Sequence, residues 1–346
     1  MDATAHREGT QGPLLGEGRA NRRRGMRLAS VSRVRYVRRW ALRVIRAMVS
    51  RAVGLRAINA VHRRLSPALR QRFFYLTCDE SWRVAGDWLV DFAGRNLVLP
   101  LRRDFPLAWT AAVGFHGYDP ELHELYTSLV TGVSPPRVFF DVGANYGLHS
   151  LRLLAHGVRV VSFEPNPECH RFFVECCRAN GLVPEIVPAA VGAETGWATL
   201  MVPVGRSYLG SIVPDVFARW ETPVMRLGVP LTSLDEFAAE RRVMPDLVKI
   251  DVEGAELSVL QGAQGLLAEA RPVVIFESWR SAAERGRLFE LFAALGYTVH
   301  DAAAERRGCA LSLAGFLACP GSNFVAQSAR PGARRADVPT SARAQK

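Results

Sequence analysis

The sequence predicts an α/β fold: a doubly wound, mostly parallel sheet with an antiparallel edge strand, preceded by an N-terminal helical extension. Three observations predict it. From Arg137 onward, short apolar runs alternate with stretches of helical spacing. Those runs are near-continuous in Val, Ile, Leu and Phe, as strands covered on both faces must be. The first run ends in a glycine-rich turn, where an open parallel sheet places its ligand loop.

The elements follow in order. Val138-Phe139-Phe140 leads to a helix from about Leu148, and Val158 to Phe163 leads to one over Pro167–Asn180. Leu247 to Ile250 precedes a helix over Ala255–Leu267, and Val273 to Phe276 precedes one over Ala282–Leu295. Tyr297 to His300 and Asn323 to Ala326 complete the sheet, the last as an antiparallel edge. Upstream, alternating runs Trp88–Phe92 and Asn96–Leu99 around Ala93-Gly94-Arg95 predict a hairpin. Asp119 as N-cap and Pro120 in the first turn predict a short helix, and Pro135-Pro136 ends that region. The domain organisation expected is a disordered tail over 1–26, an Arg-rich amphipathic extension over 27–72, a hairpin and helix over 73–135, the main domain over 136–328 and a disordered tail over 329–346.

At 346 residues and 49% hydrophobic, the chain can bury a large core without disulfide or metal staples. Its six cysteines lack the paired C-x-x-C spacing of a structural zinc site and read as reduced thiols; a carboxylate site from Asp251, Glu253 and Glu277 is conceivable but no spacing demands one, so no metal is expected. No apolar stretch follows the first charges and no run of about 18 apolar residues occurs, which predicts a cytoplasmic protein, soluble or peripheral to a membrane. The net charge of +11 is local: 18 arginines lie in residues 1–72 against Asp2, Glu8 and Glu17, so the remainder is slightly acidic.

Between Val31 and Leu65, Val34, Val37, Ala41, Val44, Met48, Ala52 and Leu55 recur at helical spacing among arginines. The pattern predicts a basic amphipathic helix, broken near Gly54 and stopped near Pro67. One reading is a helix packed on the body with a solvated Arg face. The other is an anionic membrane surface as partner, favoured over a polyanion because Trp40 and the apolar stripe suit an interface. No base-reading motif is present, so no nucleic acid is expected.

The first turn reads Asp141-Val142-Gly143-Ala144-Asn145-Tyr146-Gly147. Gly143 and Gly147 let the backbone bend and approach a ligand, and Asp141 ends the strand toward the cleft. The second glycine of a dinucleotide fingerprint is missing, as is a Gly-Lys-Ser/Thr phosphate loop, so the turn suits a cofactor without phosphates. Glu164 ends the second strand near the offset at which an acid meets a ribose.

The blocks Phe140 to Gly147, Phe163-Glu164-Pro165-Asn166-Pro167, Leu234-Asp235-Glu236-Phe237 and Leu247 to Glu256 resemble, in order and spacing, the FkbM-type methyltransferase family. Val259 to Ala263, Phe276-Glu277 and Ser322 to Ala326 extend the likeness, which covers about residues 115–327. The resemblance implies a class I, Rossmann-like methyltransferase that uses S-adenosyl-L-methionine, commonly on hydroxyls of natural products, sugars or glycolipids. It implies that Asp141, Gly143, Ala144, Asn145 and Gly147 face the methionine half of the cofactor. Glu164 and Asn166 would hold the ribose, and Ala190, within Ala189 to Gly192, would border the adenine.

Methyl transfer to a hydroxyl needs alignment and a base. The candidates are Asp251 first, then His149 and Glu253, with Glu256 and Glu277 behind them. Each has a simpler reading: Asp251 capping a helix or bonding the cofactor, His149 structural, Glu253 and Glu256 complementing a helix dipole. Residues Val202 to Val229, with Gly205 to Gly210 and Arg219-Trp220, form the expected acceptor loop or lid. The acceptor expected is a small molecule or glycan. A nicotinamide-dependent oxidoreductase and a non-enzymatic membrane-bound scaffold are the competing functions.

Overall fold

The computed structural model describes residues 39–79, 81–105, 107–214, 216–217, 222–280, 284–303 and 308–328. The tails expected over 1–26 and 329–346 lie outside these residues, as do 27–38 of the extension.

The extension is helical over 39–49 and again in α1 (Ala52–His62), followed by α2 (Pro67–Thr77). The break falls at Ser50–Arg51 rather than Gly54. Gly54 sits within α1, where a Cβ would lie 2.3 Å from the Met48 carbonyl oxygen, so its role is to let the two helices meet closely. Pro67 opens α2 at its first position, where its fixed φ is pre-set for a helix. Leu42, Ile45, Val49, Leu55 and Ile58 pack on the body, leaving the Arg face outward.

Strands β1 (Gly86–Phe92) and β2 (Arg95–Leu101) form the predicted hairpin, with Ala93 and Gly94 at positive φ in a two-residue turn. Helices α3 (Ala108–Gly117) and α4 (Pro120–Thr131) follow. Asp119 stands at the N-cap of α4, but at φ 45° it makes no side-chain cap bond. Its carboxyl turns instead toward Asn323, and burial pushes its pKa up to about 7.

The main sheet begins with β3 (Val138–Val142), α5 (Leu148–Leu154), β4 (Arg159–Phe163), α6 (Pro167–Ala179) and β5 (Glu185–Val187). A second, three-stranded sheet interrupts it: β6 (Ala190–Val191), β7 (Gly196–Pro203) and β8 (Val224–Thr232). The ends of the expected acceptor loop are therefore strands. Arg219-Trp220 of that expectation lie outside the described residues.

Then come α7 (Leu234–Arg241), β9 (Leu247–Ile250), α8 (Glu256–Gln261), α9 (Gln264–Glu269), β10 (Val273–Glu277), α10 (Arg285–Ala294), β11 (Tyr297–Asp301), α11 (Leu313–Ala318) and β12 (Asn323–Ser328). The single helix predicted over 255–267 is two, because the Gly262 carbonyl accepts from the Asp235 amide at 2.9 Å. The Asp235 carboxylate then accepts from the Gly265 and Leu266 amides at 2.9 and 2.7 Å, capping α9 from another helix.

The seven strands order as β11-β12-β10-β9-β3-β4-β5. The strands β10, β9, β3, β4 and β5 run parallel, and β12 is antiparallel to both its neighbours. The antiparallel strand thus sits one place in from the edge, with β11 outside it. This is the class I methyltransferase arrangement of a Rossmann-like sheet flanked by helices.

Successive strand residues point to opposite faces and enter two cores. Phe139, Val160, Leu247, Ile275 and Val325 join Trp88, Trp109 and Phe115 of the hairpin and α3 on one face. Phe140, Val161, Val248, Val274 and Phe324 join α7 to α11 on the other. Elements β1 to α4 are therefore one of the sheet's covering layers. Strand order reverses between β3 and β9, so the fold opens a cleft at their carboxyl ends.

Candidate active site

A cavity of about 570 Å³ occupies that cleft. Of the residues singled out from sequence, Gly143, Asn145, His149, Glu164, Ala190, Asp251 and Glu253 line it. Asp141, Ala144, Gly147 and Asn166 do not: Ala144 is buried with its amide donating to the Phe163 carbonyl at 3.0 Å, and the other three have roles elsewhere.

The turn after β3 is held from two sides. Glu164 accepts from the Asn145 amide at 2.7 Å with one carboxylate oxygen and from the Asn166 amide at 2.8 Å with the other. Burial pushes its pKa up to about 7, against the pull of those two amides. Asn145 takes φ 53°, which aims its side-chain amide outward to the Tyr208 carbonyl at 2.9 Å. Gly143 has φ 77°, and a Cβ there would sit 1.8 Å from the Asp251 carbonyl oxygen. The glycine is required because the end of β9 crosses it.

Gly147 was expected to approach a ligand, and it meets the core instead. At φ 70° its Cβ would lie 2.1 Å from the Phe173 ring, so it admits α6 against the start of α5. Asn166 caps α6, accepting from the Glu168 amide at 3.1 Å, and donates to the Ser207 carbonyl at 2.8 Å. Its side chain is committed at both ends.

Asp141 is fully buried and accepts from Ser150 Oγ at 2.6 Å; Ser150 Oγ is in turn 2.8 Å from Ser162 Oγ. Across the sheet it pairs with Lys249, itself buried. Lys249 Nζ donates to Asp251 Oδ2 at 2.8 Å. Burial works to neutralise the ammonium, but Asp251 and Asp141 outweigh it and hold its pKa above the ordinary value. Asp141 therefore fixes a cation beneath the site and does not reach the cavity wall.

Asp251, Glu253 and Glu277 form an acidic wall on the carboxyl ends of β9 and β10. Burial, then the charge of Asp251, raises the pKa of Glu253 and of Glu277, and Lys249 opposes both. Glu253 is also in the left-handed region at φ 54°, with its carbonyl accepting from Ser211 Oγ at 2.8 Å. Strain of this kind persists where surrounding contacts enforce it. Glu256 turns away, accepting from the Val252 and Gly254 amides at 3.2 and 3.1 Å. Among the described residues no group of three or more His, Cys, Asp or Glu is arranged to hold a metal ion.

His149 lines the cavity beside Tyr126, with ring centroids 5.5 Å apart. Burial, then Lys249 and Arg152, lowers its pKa well below the ordinary value. The near-neutral pKa expected of it as a base is absent, and a neutral ring of this kind is a weak proton acceptor.

Sequence reasoning missed Lys249, though a signal was there. The chain contains only two lysines, and one of them stands alone in an apolar strand. It also missed the segment Ser207–Tyr208 as a partner of the turn. Tyr146 Oη lies 2.8 Å from Ser207 Oγ, and Asn145 and Asn166 bond the two backbone carbonyls there. The Ser207–Tyr208 segment is thereby fastened to the turn at the cavity wall.

The sheet order and a cleft shared by a glycine turn, an acid after β4 and carboxylates after β9 are those of the class I methyltransferase fold. Residues 141–299 match the family model described as Methyltransferase FkbM domain, whose members are S-adenosylmethionine-dependent methyltransferases. At the level of that family the activity is S-adenosylmethionine-dependent methyl transfer.

The chain is 26% identical over 198 residues to the methyltransferase sdnD of Sordaria araneosa, covering 48% of this chain and 75% of that protein. It is 30% identical over 144 residues to the hexuronic acid methyltransferase AglP of Haloferax volcanii, covering 40% of this chain and 54% of that protein. A solved methyltransferase FkbM from Methylobacillus flagellatus aligns with 75% of this chain and 58% of its own, at 17% identity and a TM-score of 0.37.

Proposed function

We propose that this chain methylates a hydroxyl oxygen of a small molecule, sugar or glycolipid, using S-adenosyl-L-methionine. The observation that carries the reading is one cavity holding both the cofactor turn and the acidic wall. Gly143, Asn145, Glu164 and Ala190 would hold the cofactor, with Glu164 also fixing the turn that receives it. The residues suit a cationic, phosphate-free group: the wall carries Glu164, Asp251, Glu253 and Glu277 against one arginine, Arg152. The turn also lacks the second glycine of a dinucleotide fingerprint, which disfavours a nicotinamide cofactor. When bound, the cofactor supplies a methyl group activated toward displacement by oxygen.

The chain's own task is to position the acceptor and take its proton. Glu253 is the base in this reading. Its raised proton affinity places it nearer neutrality than an ordinary carboxylate, where general-base efficiency is greatest. Asp251, tied to Lys249, positions the acceptor, and the fastened Ser207–Tyr208 segment limits water. That one relative is named for a hexuronic acid supports a sugar hydroxyl among the acceptors.

The test is transfer of labelled methyl to a panel of hydroxyl and amine compounds. Hydroxyl acceptors are labelled, with at least about a hundredfold loss in Glu253→Gln and unchanged cofactor affinity, in line with the usual worth of a general base. Labelling of amines alone would contradict oxygen as the acceptor atom.

We also propose that the Arg-rich extension rests on an anionic membrane surface, which keeps the protein cytoplasmic and peripheral. Trp40, Val44 and Met48 recur every four residues on the outward face of residues 39–49, with Trp40 59% exposed. Arg39, Arg43 and Arg46 are exposed beside them. No helix among the described residues is long and apolar enough to cross a membrane.

A further inference from the structure

We infer that the inner end of the cavity, walled by α2 and α3, is a site for the apolar body of the acceptor: a ring- or acyl-bearing compound carrying a carboxylate or carbonyl oxygen read by Arg152 and Thr110. This deepens the proposed methyltransferase function and rests on it for the acceptor's role.

The cavity does not end at the acidic wall. It continues past Tyr118 to Phe74, Leu107, Ala111 and Gly114, which belong to α2, α3 and the residue before α3. These lie outside residues 141–299, so the family's shared segment does not supply this wall. Apolar surface of this kind is favourable to cover, at about 25 cal/mol per Å² removed from water.

Two polar atoms in the same wall lack hydrogen-bond partners among the described residues. The Thr110 hydroxyl oxygen is buried and unpaired among the described residues. Arg152 is 3% exposed, and its Nε is likewise unpaired. Its remaining nitrogens donate to the Leu148 carbonyl at 3.1 Å and to the Phe115 carbonyl, while the guanidinium lies 4.2 Å from the Phe115 ring centroid. No carboxylate among the described residues lies within ion-pair distance of it.

A buried guanidinium without a counter-charge is costly, and burial lowers its pKa to about 10. An oxygen of the ligand supplies what the protein does not. The acceptor that fits has a hydroxyl at the acidic wall, an apolar body against α2 and α3, and an oxygen acceptor at Arg152.

The experiment is fluorescence titration of the full chain with N-phenyl-1-naphthylamine, an apolar probe, with and without saturating S-adenosylhomocysteine, followed by displacement with 2-naphthoate. The probe binds at micromolar concentrations, is not displaced by S-adenosylhomocysteine, and is displaced by 2-naphthoate. Ala111→Trp and Thr110→Trp, which fill the chamber, weaken the probe at least tenfold while S-adenosylhomocysteine affinity by calorimetry is unchanged. Arg152→Met weakens 2-naphthoate at least tenfold and leaves the neutral probe unaffected.

A wild-type protein that does not bind the probe, or releases it to S-adenosylhomocysteine, overturns the inference whether or not the variants fold. Equal probe binding in both tryptophan variants overturns it too. Probe binding with the expected variant losses, in a protein that ignores S-adenosylhomocysteine, supports the chamber and removes the methyltransferase reading instead.

Discussion

Lys249 Nζ donates to Asp251 Oδ2 at 2.8 Å while facing Asp141 across the sheet, so one buried cation serves a carboxylate in the cavity wall and another beneath it. Removing it leaves both acids uncompensated. Lys249→Met should cost about 3–5 kcal/mol of stability in urea unfolding, the usual penalty for breaking a buried pair. Adding Asp251→Asn should recover part of that loss, because neighbours in one charge network are not additive. Strict additivity of the two substitutions would show that the ion pair carries no coupling.

The glycines of the turn region separate packing from backbone freedom. Gly147 and Gly157 both have positive φ, 70° and 78°. A Cβ on Gly157 meets nothing within 4 Å, whereas one on Gly147 meets the Phe173 ring. Gly157→Ala should cost about 1–2 kcal/mol, the left-handed penalty alone. Gly147→Ala should cost roughly 1–3 kcal/mol more from overpacking. Equal melting temperatures for the two variants would rule out close contact of α6 with the turn.

Acid should destabilise the N-terminal layer. His62 sits against Phe73 and Trp88, with ring centroids 5.1 Å from each, and neither ring nitrogen has a partner among the described residues. Burial, then Arg70, lowers its pKa to about 4. A folded-state pKa below the unfolded one means the folded state binds fewer protons, so stability is retained above 6.5 and lost as pH falls from there toward 4. At pH 5 the cost is about 2 kcal/mol. His62→Phe removes it, so the melting temperature of that variant should fall less than the wild type's between pH 7 and 5. Other buried groups titrate alike in both proteins and cancel in the difference. Parallel pH curves would contradict the burial of a neutral imidazole.

Co-sedimentation with vesicles of phosphatidylcholine and phosphatidylglycerol should be strong, and negligible with phosphatidylcholine alone. Replacing Trp40, Val44 and Met48 together by Ser should reduce it at least tenfold, since each buried apolar side chain is worth about 1.5–3 kcal/mol. Undiminished binding by the triple variant would leave charge alone as the cause.

The strands after Arg137 were legible because a strand buried on both faces must be apolar throughout, and runs such as Val273 to Phe276 admit few other uses. The positions of Gly143, Asn145 and Glu164 were legible for a related reason: a turn at the sheet's switch point needs particular residue types. What escaped was set by contacts between distant segments. Gly147 reads in sequence like a ligand glycine, and only Phe173 from α6 explains it. Asn166 reads like a ribose ligand, but Ser207 and the α6 cap consume it. Asp119 has the residue type and place of a cap, yet burial near Asn323 turns it elsewhere. The α2 and α3 wall carries no motif at all, because an apolar residue in a cavity and one in a core look the same along the chain.

The most direct test of the account is calorimetric titration of the purified chain with S-adenosylhomocysteine, using Glu164→Ala as control. Binding should be micromolar and weaken about ten- to a hundredfold in the variant, the worth of a charge-assisted bond. A cooperatively melting wild-type protein with no binding, or a variant with undiminished affinity, would contradict the cofactor site as placed between Gly143, Asn145 and Glu164.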